Sequence, residues 1–253
     1  MDGKKPHSGI ELTPEETHHK KLMVSILRKL ADTPMILKGG TALYLGYGLN
    51  RFSEDLDFDC HKKINLVGRL KSAIPDEIIL NEIYTKKDTD TAGRYVVSYH
   101  TQDAQETRQL VVEVSYRNAP PESEVNLIDG MRIASIKCLI DNKLRATFDG
   151  KNTRVKARDL FDLHFLAKNY AEHFTPDFAR RLMEFSKNPD ELISLYENNA
   201  KNDSILNKIM DTETVVLELN TIATTLHNKH SQVFSTPQTP QHKELPTPSK
   251  GRK

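Results

Sequence analysis

The sequence predicts a mixed α/β (α+β) chain, a sheet with flanking helices followed by a C-terminal helical domain, and three observations predict it. Three β-rich runs, EIILNEIYTKK, GRYVVSYHT and RQLVVEVSYR, follow one another between residues 77 and 117. Lys/Asp/Thr and Gln/Asp turn signals divide them, the pattern of an antiparallel meander. Composition then changes at 118–130 (NAPPESEVNLIDG), where two prolines and a glycine mark a connection. Beyond it the apolar residues recur at helical spacing to about residue 230.

In chain order, Thr13 reads as an N-cap, with Pro14 at the first helical position and Glu15 and Glu16 in the first turn. Leu22, Val24, Ile26, Leu27 and Leu30 supply the apolar stripe of that helix. MILK (35–38) is a short strand, broken by Gly39-Gly40, and Thr41 is placed to cap the helix TALYLGYGL, which stops near Gly48 to Asn50. SEDLDFDC alternates strictly: Leu56, Phe58 and Cys60 on one strand face, Asp55, Asp57 and Asp59 on the other. Residues 64–74 read as a helix, and further helices are expected at 132–148, 157–172, 175–187, 189–199 and 203–229. The last stretch, 231–253, holds four prolines and few apolar residues, a composition that does not repay ordering entropy. The expected division is a flexible N-terminus (1–12), an α/β domain (13–122), a helical domain (123–230) and a disordered tail (231–253).

Composition excludes several classes. No run of about 18 apolar residues is present, as a membrane span requires, and MDGKKPHSGI lacks the apolar stretch of a secretory signal. Cys60 and Cys138 are too few for a disulfide framework, so a reducing, cytoplasmic setting is expected. Lys plus Arg number 36 against 35 Asp plus Glu, so bulk charge does not call for nucleic acid and any such binding must come from local patches. The histidines show no zinc spacing and read as structural or surface residues.

The chemistry concentrates in LKGGTALYLGYGLNRFSEDLDFD. A glycine pair lets backbone amides approach a ligand, and a helix start behind it offers unpaired N–H groups to an anion such as a triphosphate. Asp55 and Asp57, two apart on a strand, share a face; like charges that close repel unless a cation lies between them. Mg2+ takes carboxylate and phosphate oxygens together, and two such ions clamp an in-line displacement. Glu113 interrupts the apolar run QLVVEVSY and is the candidate third carboxylate, if its strand lies beside DLDFD. An Asp-rich strand is also commonly a solvated sheet face, and the same Asp-x-Asp pair holds metal and sugar nucleotide in glycosyltransferases. An EF-hand is excluded, because the Gly and terminal Glu are missing at the required offsets.

These residues resemble the nucleotidyltransferase signature of the DNA polymerase β-like superfamily and, more narrowly, the AbiEii/AbiGii toxin family of abortive-infection toxin–antitoxin systems. The match runs through Lys38, Gly39, Gly40, Thr41, Ala42 and Leu43, then Arg51, Ser53, Asp55, Leu56, Asp57 and Phe58. A second match takes in Lys143, Leu144 and Ala146, then Lys156, Arg158, Asp159, Leu160, Asp162 and Leu163. Asn142 stands where the family pattern has a glutamate before the lysine. The resemblance implies a nucleotidyltransferase-like mixed sheet and a magnesium-dependent transfer of an NMP from an NTP. It implies as acceptor RNA, such as a tRNA 3′ end, and a cognate antitoxin protein as partner. On this reading Asp55, Asp57 and Glu113 hold two Mg2+ ions, while Lys38, Gly39, Gly40, Thr41, Ser53 and Lys143 hold the nucleotide. Lys143 and Asp159 join Asp55, Asp57 and Glu113 in catalysis, and Arg51 is architectural.

Read from its residues, the second segment places Lys143 on the flank of an apolar stripe formed by Ile133, Ile136, Ile140 and Leu144, with Lys137 as competitor. Asp159 and Asp162 share a helix face; Asp159 is placed to orient Lys143 or to act near the acceptor hydroxyl, unless these charges are ordinary helix-face pairs. KNTRVKAR (151–158) is the local basic group that suits a phosphate backbone. A nucleotide- or RNA-binding module without transfer, and transfer to a small molecule or a protein hydroxyl, stay open on the same residues.

Overall fold

The computed structural model describes residues 11–149 and 155–233. Thr13 opens α1 (Pro14–Lys29) with a capping box: its hydroxyl accepts from the Glu16 amide at 3.2 Å while its own amide donates to the Glu16 carboxylate at 2.9 Å. The buried side of α1 carries Leu22, Met23, Ile26 and Leu27. β1 (Ile36–Lys38) leads straight into α2 (Gly39–Tyr47), which ends at Gly48 in the left-handed conformation. β2 (Leu56–Asp59) and the short α3 (Val67–Lys71) follow. The expected meander is then present as β3 (Ile78–Asp88), β4 (Ala92–Thr101) and β5 (Ala104–Ser115), paired antiparallel in sequence.

Seven strands form one mixed sheet in the order β3-β4-β5-β2-β1-β7-β6, with β6 at Val125–Ile128 and β7 at Met131–Ala134. β2 runs parallel to β5, β1 runs parallel to β7, and the other pairs are antiparallel. This is the mixed sheet with flanking helices that the sequence predicts. It extends past residue 122, however, where the sequence reading divides the chain: β6 and β7 complete the sheet and only then do the helices begin.

The expected helix at 132–148 therefore starts four residues late, its first residues being taken by β7. Ile133 pairs with Leu37 and is extended, Ser135 caps α4 (Ile136–Leu144) by accepting from the Cys138 amide at 3.2 Å, and residues 145–149 form a π-helical turn. α5 (Ala157–Asn169), α6 (Pro176–Ser186) and α7 (Pro189–Lys201) lie where helical spacing puts them. α8 (Thr212–Val233) starts nine residues later than expected, because the Asp203 carboxylate accepts from the Ile205 and Leu206 amides, both at 3.0 Å, and holds a turn there. α8 packs against α5, α6 and α7. One hydrophobic cluster joins sheet and helices, with Leu22, Leu56, Ile133, Leu163 and Leu219 all fully buried.

The expected flexible N-terminus and disordered tail lie outside the described residues, apart from residues 11–12 and from 231–233, which continue α8. Residues 151–154 of the basic group also lie outside them. Among the described residues no helix is long and apolar enough to cross a membrane.

Candidate active site

Strand alternation builds the site. Leu56, Phe58 and Cys60 are buried in the core, so Asp57 takes the opposite face of β2; Val112 and Val114 are buried, so Glu113 takes that same face of β5. The β2–β5 register sets Asp57 directly beside Glu113. Neighbouring strands lie about 5 Å apart, so the strand of Glu113 does lie beside DLDFD, the condition the sequence reading set. The same row runs on in both directions. Lys38 on β1 lies opposite Asp57, Arg94 on β4 opposite Glu113, and Lys87 on β3 opposite Arg94. Five adjacent strands thus carry Lys, Asp, Glu, Arg and Lys across one face of the sheet.

The electrostatics follow from this crowding. Burial, then the Glu113 and Asp55 charges, push the Asp57 carboxyl up to about 6, and the Lys38 and Lys143 charges reverse only part of that. Protein packed around its carboxyl, with Glu54 and Glu113 adding to it, holds Asp55 above its usual range. Glu113 is half-exposed and forms an ion pair with Arg94 at 3.1 Å. Lys38 pairs with Asp59 at 2.5 Å, so the third aspartate of the strand, not assigned to the site from sequence, holds the lysine beside Asp57. A cavity of about 290 Å³ lies over this row, bordered by Lys38, Asp57, Lys87, Arg94 and Glu113. A larger groove of about 610 Å³ lies between α5 and α8, lined by residues such as Ala167, Leu217 and Leu226 that belong to neither motif.

The glycines and Thr41 work differently from their sequence reading. Gly39 has φ +71°, and a Cβ there would stand 3.0 Å from an Asp57 carboxylate oxygen. It is the residue that lets the chain turn from β1 into α2 immediately beside the acidic row. Gly40 leaves room for the Arg51 guanidinium, whose Nη2 would lie 2.5 Å from an added Cβ. Thr41 does not cap α2: the helix starts at Gly39, Lys38 is its N-cap residue, and no side chain accepts there. The Thr41 hydroxyl is instead buried, donates to the carbonyl of Asp55 and shares a 2.8 Å hydrogen bond with Ser53 Oγ. Thr41 and Ser53, both expected to hold nucleotide, are thus turned inward and position the segment that presents Asp55. The backbone at this helix start is left without a side-chain cap.

The second motif forms a buried cluster of four charges. Arg51 grips Asp162 with two hydrogen bonds of 2.7 Å, from Nε and Nη2. Lys143 Nζ lies 2.6 Å from both Asp159 Oδ1 and Asp162 Oδ2. All four side chains are nearly inaccessible to solvent. Burial pushes the Asp162 carboxyl up, but Arg51 and Lys143 outweigh it and hold it below the usual carboxylate range. Lys143, rather than Lys137, is the inner lysine; Lys137 is on the surface, paired with Glu124 at 3.0 Å. The acidic partners of Lys143 come from α5, not from the position of Asn142. Arg158 pairs with Asp203 at 2.7 Å and with Glu54 at 3.3 Å, which takes it out of the expected basic patch.

Sequence reasoning missed Arg94 and Lys87, while His19, read as structural or surface, is structural. Arg94 and Lys87 gain meaning only from strand register. His19 is buried on α1, accepts from the Tyr99 hydroxyl at 2.8 Å and donates through Nε2 to the Glu54 carbonyl at 2.7 Å, next to Asp55. Burial holds its ring below the usual imidazole range.

Hard carboxylate oxygens that repel one another on a partly buried face suit a divalent ion such as Mg2+. Among the described residues no three His, Cys, Asp or Glu side chains already converge as a metal site requires. Asp55 and Asp57 crowd together, while Glu113 is drawn toward Arg94.

Residues 21–226 match the family described as nucleotidyl transferase AbiEii toxin, type IV toxin–antitoxin system. Among solved structures the chain is similar to a protein of H. pylori assigned as a nucleotidyltransferase: 63% identity, 88% of this chain and 99% of that chain covered, TM-score 0.86. It is likewise similar to JHP933 of Helicobacter pylori: 62% identity, 89% and 97% covered, TM-score 0.87. No curated protein matches the chain.

Proposed function

Because the chain belongs to the AbiEii nucleotidyltransferase toxin family of type IV toxin–antitoxin systems, we propose that it moves an NMP from an NTP to an acceptor hydroxyl of RNA, such as a tRNA 3′ end. The observation that carries this reading is the register pair Asp57–Glu113, set beside the uncapped start of α2 at Gly39. Membership of this family implies a cognate antitoxin partner.

Asp55 and Asp57, with Glu113, are the residues that would hold Mg2+, two ions when the site is full, and the metal would supply charge neutralisation for the triphosphate and its leaving group. The first-turn amides of α2 at Gly39, Gly40 and Thr41 face the phosphates, and Lys38 adds positive charge beside Asp57. Glu113 takes the proton from the acceptor hydroxyl. The acceptor oxygen then bonds to the α-phosphorus as the bond to the β-phosphate oxygen breaks, and pyrophosphate leaves. Lys143, held by Asp159 and Asp162, adds a fixed positive charge that favours the charge developing at the phosphorus. Asp159 orients Lys143 rather than touching the acceptor.

RNA as acceptor is what the sequence resemblance implies. The test is incubation with each labelled NTP, Mg2+ and total RNA. Label on RNA that disappears in Asp57→Asn supports the reading. Label on protein or on small molecules moves the acceptor, and tight NTP binding without any transfer makes the chain a binding module.

A further inference from the structure

The row of charges across the sheet is unbalanced at one end. Arg94 and Lys87 lie directly opposite one another on β4 and β3, and like charges so placed are destabilising unless an anion joins them. The anion present is Glu113, opposite Arg94 on its other side and 3.1 Å from it. That pair is half-exposed on both sides, a setting in which an ion pair is worth only about 0.2–1 kcal/mol. Glu113 also neighbours Asp57, and its charge contributes to the strain on both aspartates. It is therefore shared between two claimants, a weakly bound guanidinium and whatever cation the aspartates gather.

We propose that Arg94 is a switched positioning residue. In the ion-free protein it holds Glu113; when a divalent ion takes Glu113, Arg94 is released and, with Lys87, receives a backbone phosphate of the acceptor RNA strand. This rests on the reading of Asp55, Asp57 and Glu113 as divalent-ion ligands. The acceptor rather than the nucleotide is assigned here because of placement. β4 lies two strands from β2, a separation of about 10 Å, on the side away from Gly39 and the start of α2. The cavity bordered by Asp57 and Glu113 extends to both cations. An acceptor whose 3′ hydroxyl meets Glu113 would lay its preceding phosphate toward them.

The experiment measures equilibrium binding, without turnover, on the full chain. Mn2+ is titrated and read by its electron paramagnetic resonance signal, and a short fluorescent RNA with a free 3′ hydroxyl is titrated by anisotropy in the presence of saturating Mn2+. Arg94→Gln is expected to bind Mn2+ about 1.5- to 5-fold more tightly, the fold-change corresponding to loss of an exposed pair. It is expected to bind the RNA several-fold more weakly. Lys87→Gln should weaken RNA binding and leave Mn2+ affinity unchanged, because it does not lie opposite Glu113. Equal gains in Mn2+ affinity from both variants would reduce the effect to general charge and overturn the switch. Unchanged RNA binding in both variants, or a loss seen for NTP and not for RNA, would overturn the acceptor subsite. Asp57→Asn separates the two levels: if it abolishes Mn2+ binding while Arg94→Gln has no effect, the Arg94 proposal fails and the ion site stands. If Mn2+ binding survives Asp57→Asn, the ion site itself is wrong.

Discussion

Two charged clusters lie close together in this protein and have opposite characters. Arg51, Lys143, Asp159 and Asp162 are buried, paired one positive to one negative, and hydrogen-bonded at 2.6–2.7 Å. Asp55, Asp57 and Glu113 stand on the open side of the sheet with more negative charge than their neighbours cancel. The first cluster is satisfied within the chain and ties the loop after α2 to α5. The second is strained, and Asp55 and Asp57 are held above their usual range. Both draw on family motifs, so a motif match by itself does not separate charges paired within the fold from charges left strained; the local balance of charge and solvent does.

The largest effect should come from breaking the buried cluster. Arg51→Ala leaves the buried Asp162 with one partner fewer, and removal of one member of such a set typically costs about 3–5 kcal/mol. The unfolding midpoint in urea should fall accordingly, by thermal melt on the order of 10 °C. Asp57→Asn should do the reverse to stability. With the carboxyl raised from 3.8 to about 6, the native state of the ion-free protein binds that proton more tightly than the unfolded chain does. Asp57 therefore lends stability below about pH 4 and loses it as pH rises through about 6. The asparagine variant should be more stable than wild type above pH 6, by on the order of 2 kcal/mol, and equal to it near pH 4, while losing transfer. Asp162 has the opposite sign. Its lowered carboxyl adds stability above about pH 4 that is lost as pH falls, so acid denaturation should be blunted in Asp162→Asn, already destabilised at neutral pH.

Smaller effects test the seam between the clusters. Gly40→Ala pushes against an Arg51 that is locked in place, and overpacking of this kind costs about 1–3 kcal/mol. Thr41→Val removes the donor to the Asp55 carbonyl and the hydroxyl partner of Ser53, about 1–2 kcal/mol by thermal melt. It should lower transfer by displacing Asp55, with Thr41→Ser restoring both. If Thr41 held phosphate instead, the valine variant would raise the NTP KM without changing the melt.

Much of the site was legible because strand and helix periods are local. DLDFD alternates, so its aspartates share a face whatever lies next to them, and Thr13-Pro14-Glu15-Glu16 starts a helix by its own hydrogen bonds. The fold class was legible for the same reason, from three β-rich runs followed by helical spacing. Other features depend on partners far along the chain. Residues 131–134 fit a helical stripe, yet Ile133 becomes a strand because β1 offers an unpaired edge. Thr41 looked like a cap until Ser53 and the Asp55 carbonyl claimed its hydroxyl. Arg94 carried no signal, since its importance comes from facing Glu113 across a strand pair.

From its order of residues alone, then, this chain determined which side chains lie on which face of each element, and with them its acidic strand and its glycine-hinged turn, since those depend on backbone geometry over a few residues. Tertiary structure decided the rest: which cation meets which acid, which hydroxyl is spent inside the fold, and that Glu113 stands between Asp57 and Arg94. Charges interact through space over a few ångströms, and only strand register and helix docking bring positions dozens of residues apart within that distance.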